Sequence, residues 1–301
     1  MISWRRAAKR TLFGLGHYSR RLRADRLPGV AVLCYHAVRP DDWPAGRMAF
    51  EGLHVRAAEL DAHCRVLMSM CHPITFARWR AALDGGPPLP DRAVLVTFDD
   101  GYRTVATVAE PILKRHGIPF AVFVCSAPVE ERTYFWYDAV ALRDGEQEVA
   151  RLKRVPFAEW SIAAKAARRG VLENDPHAPL SVDEIRELAR GGAELGGHTV
   201  SHPILARADR AEQYREIVNN RTALEAWGGR PVTAFAYPNG EQSDYSRETV
   251  SILTELGYVS AFTTQFGFAS GECRYECPRF LMLAGTSDAE LAHRLCYSWR
   301  R

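Results

Sequence analysis

The chain has 301 residues, 47% hydrophobic and 25% charged, an ordinary globular composition with length for one large domain or two small ones. Its net charge of +3 gives no global sign of a nucleic-acid partner. No apolar run approaches a transmembrane helix, and no apolar stretch follows the basic start as a signal peptide would require.

Residues 1–26 carry Arg5, Arg6, Lys9, Arg10, Arg20, Arg21, Arg23 and Arg26 against the single acid Asp25. Trp4, Leu12, Phe13 and Leu15 are interleaved. Two readings are open: an interfacial helix on anionic lipid, or a solvated helix packed on the domain by its few apolar residues. Residues 1–28 are therefore set apart as a basic extension from a domain over 29–301. Removing 1–26 is expected to leave that domain folded. The seven cysteines are odd in number and lie mostly in apolar segments, which suits reduced, buried thiols. The expected location is the cytoplasm, with peripheral contact of the N-terminus at the inner face of a membrane.

Strands are expected at 30–35, 93–98, 119–125, 193–199, 232–237, 258–264 and 279–283. Helices are expected at 55–70, 104–117, 204–227 and 246–256. Ser181 with Glu184, and Ser287 with Glu290, have capping-box spacing and open two further helices. This alternation predicts a parallel sheet with crossover helices, and about seven strands favour a distorted β/α barrel. The pattern breaks at about 130–180, an insertion with the aromatic run Tyr134–Tyr137 followed by a basic helical run. It is placed over one end of the barrel as a lid. Its aromatics suit a core or a sugar-stacking platform; Asp138 is read as a helix cap.

In such a barrel, chemistry sits at the C-terminal strand ends. Tyr35 and His36, Asp99 and Asp100, His198 and His202, and the turn "AYPNG" (236–240) all fall there. One aspartate with two histidines at i, i+4, sharing a helical face, makes a sound metal set with room for water and substrate.

The motifs "TFDDGY", "HTVSHP" and "FAYPNG" resemble those of the NodB-homology polysaccharide deacetylases, a carbohydrate esterase family; the resemblance covers roughly residues 30–285. It implies a distorted β/α barrel that removes acetyl groups from sugars with one divalent metal. Zinc is the leading candidate; cobalt, nickel or manganese are alternatives. By motif position it implies that Asp99 is the base, that Asp100, His198 and His202 hold the metal, and that the Asn239 backbone N–H binds the oxyanion. The expected substrate is a glycan or lipid-linked amino sugar. A deformylase or amidase of a small or lipid-linked amide, and a non-catalytic carbohydrate-binding relative, are the alternatives.

Two departures matter. The family arginine that holds the base is replaced by Ala236, and Arg279 is the expected substitute. The usual late acid histidine is also not evident, and His293 is a poor stand-in. "CYHAV" resembles the early Tyr-His element of poly-N-acetylglucosamine deacetylases, so His36 is taken as the acid, across the metal from Asp99. Tyr35, Trp136, Tyr237 and Arg279 complete the expected substrate-binding set.

Overall fold

The computed structural model describes residues 4–298 apart from Asp25, Pro44, Ala45, Arg47 and Glu173. The apolar runs become strands of one parallel sheet. These are β1 (Ala31–Tyr35), β2 (Ala93–Phe98), β3 (Phe120–Val124), β4 (Glu194–Gly197), β5 (Ala234–Ala236), β6 (Ser260–Phe262) and β7 (Phe280–Leu281). Their spatial order is β7-β1-β2-β3-β4-β5-β6, and a two-residue strand, His72–Pro73, adds to the start of β2. The segment before β7 draws the two edges together. Cys277 N–H donates to Ala261 O and Thr263 N–H to Cys277 O, both at 2.9 Å, while Met282 N–H donates to Cys34 O at 2.9 Å. The sheet therefore curls round toward a barrel, as the element count predicts.

Strand parity decides what each residue meets. Ala31, Leu33 and Tyr35 of β1, with Val94, Val96 and Phe98 of β2, pack outward beneath the helices. Val32, Leu95, Ala121, Phe123, Ala234, Ala236 and Phe262 fill the inside of the curl. Cys34 and His36 continue the inward set of β1, and Thr97 and Asp99 that of β2.

The insertion forms helices Trp136–Asp144, Glu146–Leu152 and Phe157–Ala166 between β3 and β4. They share a separate apolar cluster in which Phe135, Trp136, Tyr137 and Trp160 meet Tyr102 and Cys125. The aromatic run is thus mostly core.

Several boundaries move. The helix expected over 204–227 starts at Arg210, where Asp209 accepts from Glu212 N–H at 2.8 Å. The one expected over 104–117 begins as a wide π turn, Val105–Ala109, and is α-helical only over Glu110–Arg115. Pro111 has no N–H to close the bond to Thr107, so regular α geometry fails there.

The N-terminal stretch forms helices Trp4–Gly14 and His17–Ala24. The first buries no residue fully, whereas Tyr18 and Leu22 of the second join the main core beside the C-terminal helix Asp288–Tyr297. Packing on the domain is therefore what this second helix does, the second of the two readings open for residues 1–26. The seven cysteines are free thiols, and all but Cys273 are buried.

Candidate active site and metal centre

The two adjacent aspartates are driven apart by a tight turn. Gly101 N–H donates to Asp99 O at 2.9 Å, closing a three-residue turn around Asp100, which takes φ 72°. A left-handed φ at a non-glycine residue stores backbone strain, of order 1–3 kcal/mol, of the kind found at functional sites. Cys125 N–H holds the turn through Asp100 O at 2.9 Å.

Asp99 enters the barrel interior, where Arg279 clamps it. The guanidinium donates to both carboxylate oxygens, at 2.7 and 2.6 Å, and through Nε to Thr263 O at 2.8 Å. Arg279 is fully buried and Asp99 is 2% exposed. Burial by itself raises the Asp99 carboxyl; the charge and hydrogen bonds of Arg279 outweigh it and hold the group below its ordinary value. Arg279, the residue before β7, thus stands against Asp99 as the sequence expectation had it. Cys34 Sγ also lies 3.4 Å from Asp99 Oδ2, as a neutral thiol whose ionisation burial pushes well up.

Asp100 turns to the histidines. One of its oxygens lies 3.2 Å from His198 Nε2 and 3.5 Å from His202 Nε2, yet this buried oxygen has no hydrogen-bond partner. Where His198 is neutral, its Nδ1–H donates to Ala236 O at 2.7 Å and Nε2 is the unprotonated nitrogen facing Asp100. Three convergent donor atoms without hydrogen bonds among them fit a divalent cation. Metal–ligand bonds of about 2.1 Å give a tetrahedral edge of about 3.4 Å, close to both observed spacings. Burial pushes His202 down to about 3, which also favours the neutral, ligating form.

The histidines do not share a helical face as their spacing suggests. The loop carrying them has left-handed residues at Thr199 (φ 68°) and His202 (φ 60°). Buried side chains fix it from below. Asn220 accepts from His198 N–H at 3.1 Å and donates to Thr199 O at 2.6 Å. The Glu216 carboxylate accepts from Val200 N–H and Ser201 N–H, each at 2.9 Å. From the insertion, Trp136 Nε1–H donates to His202 O at 3.0 Å.

These groups open onto a cavity of about 210 Å³ lined by His36, Phe50, Asp99, Asp100, Tyr137, Lys153, His198, His202, Asn239 and Leu281, among others. Asn239 stands in a strained turn (φ 63°) followed by Gly240 (φ 74°), where a Cβ would lie 2.8 Å from Thr264 N. Among the described residues, none accepts from the Asn239 backbone N–H.

His36 lines the cavity, and its Nδ1 is buried without a partner. A His36 ring nitrogen, Cys34 Sγ and an Asp99 oxygen lie within 4.8 Å of one another, so His36 and Asp99 share one end of the curl. Strand parity removes two expected substrate contacts. Tyr35 points outward and donates to His63 Nδ1 at 3.1 Å, and Tyr237 points outward to Tyr275 O at 2.8 Å. Trp136 supports the His202 backbone outside the cavity, and Arg279 holds Asp99 rather than facing the cavity. Asp138 caps no helix: it is fully buried and accepts from the Tyr102 hydroxyl at 2.7 Å. His293 lies next to Tyr18 on the far helix, away from the cavity. Sequence reasoning missed Phe50, Leu281 and Lys153. The parity of β7 marks Leu281, and nothing in the local sequence marks the other two.

Residues 86–261 match the family model for polysaccharide deacetylases. The chain is 30% identical over 236 residues to the poly-beta-1,6-N-acetyl-D-glucosamine N-deacetylase of Escherichia coli K12, covering 74% of this chain and 32% of that protein. It thus spans about a third of the length of the curated relatives it first matches. Among solved structures, the Streptococcus pyogenes deacetylase PplD in complex with acetate superposes with a TM-score of 0.67 at 21% identity, covering 89% of this chain and 99% of that one. IcaB from Ammonifex degensii gives 0.64 at 23% identity, covering 89% and 97%. Those two likenesses bear on the fold, and the family match bears on descent: the chain belongs to the polysaccharide deacetylase family.

Proposed function

We propose that this protein hydrolyses the N-acetyl group of an amino sugar in a glycan or a lipid-linked sugar, using one divalent cation held by Asp100, His198 and His202. The observation that carries the reading is the divided pair of aspartates. Asp99 is locked on Arg279, and Asp100 faces two imidazole nitrogens with no hydrogen bond between them. The Escherichia coli relative, by its name, acts on poly-β-1,6-N-acetyl-D-glucosamine, which supports an N-acetylated glycan as substrate.

Asp100, His198 and His202, a two-nitrogen, one-oxygen set suited to zinc, would hold a cation that would supply Lewis acidity to the acetyl carbonyl and to a water. Asp99, ionised and oriented by Arg279, accepts the proton of the attacking water. The Asn239 backbone N–H donates to the oxyanion as the carbonyl carbon becomes tetrahedral. His36 donates a proton to the departing amine, because an amine anion is too poor a leaving group to depart alone. Phe50 and Tyr137 add aromatic surface to the cavity wall, which suits contact with the apolar side of a sugar.

The test is acetate and formate release from N-acylated glycans, lipid-linked sugars and small amides by metal-stripped and metal-restored protein. Acetate from a glycan, dependent on metal, is expected. Formate or acetate from small amides alone would favour an amidase or deformylase. Glycan binding with no release under any metal would indicate a binding protein.

A further inference from the structure

We infer that Lys153, supplied by the insertion, is a positioning residue that sets the Asn239 oxyanion turn; the inference rests on the deacetylase reading above. Lys153 ends the helix Glu146–Leu152, outside every motif that marks the site, and it lines the same cavity as the aspartates and histidines. Its Nζ donates to Asn239 Oδ1 at 2.6 Å. Asn239 Nδ2 in turn donates to Asp244 Oδ2 at 2.6 Å, and Asp244 Oδ2 also accepts from Glu241 N–H at 2.8 Å. The Asn239 side chain is thus gripped at both ends, by a cation at its oxygen and a carboxylate at its nitrogen.

That grip acts on strained backbone. Asn239 holds φ 63°, a conformation asparagine tolerates better than most residues but does not prefer. Thr264 closes the turn from the opposite side, its hydroxyl donating to Asn239 O and its N–H to Gly240 O, each at 2.9 Å. Lys153 is the clamp that comes from outside the barrel. The lid that covers the site therefore also completes the oxyanion donor. Charge-assisted hydrogen bonds are the stronger class, so this one contributes to order in the turn as well as to local positive potential.

The experiment compares Lys153→Met, Asn239→Gly and the double variant. Lys153→Met keeps most of the stem but removes the donor. Asn239→Gly removes the acceptor and leaves the left-handed turn accessible. Substrates are poly-β-1,6-N-acetyl-D-glucosamine oligomers and 4-nitrophenyl acetate. A positioned oxyanion donor is worth about 10²–10³-fold, and misplacing it should forfeit part of that. Lys153→Met is expected to lower kcat about 10–10²-fold on both substrates, with KM changed less than about two-fold. The double variant should be no slower than Asn239→Gly alone. Amide hydrogen exchange in a peptide spanning 237–241 should accelerate in Lys153→Met. Unchanged exchange with unchanged kcat would overturn the inference. So would losses that multiply in the double variant, which indicate direct contact with substrate, or an effect confined to the amide, which indicates an acid. Should the wild type release no acetate from either substrate, the deacetylase reading fails, and the exchange measurement still decides whether Lys153 orders the turn.

Discussion

Arg279→Met removes the partner of a buried charge and leaves the charge in place. The side chain lost is fully buried and donates to both Asp99 oxygens, to Thr263 O and, at 3.3 Å, to Thr97 Oγ1. Asp99, 2% exposed, keeps only the weak Cys34 thiol contact as a side-chain partner in this set. Breaking such a pair from one side costs about 3–5 kcal/mol, because the remaining ion stays desolvated without compensation. Removing both ions together is far cheaper, since no bare charge is then left inside. Denaturant unfolding of the metal-free protein at pH 7 should therefore show Arg279→Met destabilised by about 3–5 kcal/mol. Arg279→Met with Asp99→Leu should recover a large part of that loss. Both variants should be inactive, so the stability comparison is independent of turnover. A cost below about 1 kcal/mol for the single variant, or a double variant no more stable than the single, would refute the clamp.

His36→Gln should keep the fold and bound metal but lose about 10²–10⁴-fold on amides, while sparing 4-nitrophenyl acetate, whose phenolate leaves unprotonated; equal damage to both substrates would make His36 structural. His54 is buried, and desolvation pushes it down to about 3. Its folded value lies below the unfolded one of about 6.5, so the unfolded chain binds the extra proton between those values and stability falls with acid. His54→Gln should reduce the pH slope of unfolding free energy by about 1.4 kcal/mol per pH unit over that window, and an unchanged slope would contradict its neutral burial. Removing residues 1–15 should leave the fold intact and weaken binding to anionic vesicles in a salt-sensitive way. Removing 1–26 should cost a further 3–6 kcal/mol or so through the loss of Tyr18 and Leu22 from the core; equal stability of the two truncations would show that this helix packs without consequence.

Much of the fold was legible because buried parallel strands read as apolar runs, and each run between 30 and 283 lies in the sheet. The aspartate pair and the histidine pair were legible because polar residues at strand ends are conspicuous against such runs. Orientation was the weak point. Tyr35 and Tyr237 lie one residue from inward positions, and a one-residue shift in a strand reverses the face. Applying the alternation of β1 and β5 would have placed both rings outside. Arg279 was legible only through the resemblance: with Ala236 in place of the family arginine, Asp99 needed another cation, and Arg279 opens a late strand. Lys153 and Phe50 were not legible, because each reaches the cavity from a segment whose docking is set by tertiary packing. The left-handed turns at Thr199 and His202 were hidden behind a spacing that also suits a helix.

The central claim is that two adjacent aspartates do different work. Its most direct test is metal content and deacetylation measured side by side for Asp99→Asn and His198→Ala. Asp99→Asn should bind the cation at wild-type stoichiometry and lose turnover, because it removes a proton acceptor and no ligand. His198→Ala should lose both, because it removes one of three protein ligands. Metal lost from Asp99→Asn, or fully retained in His198→Ala, would contradict the account.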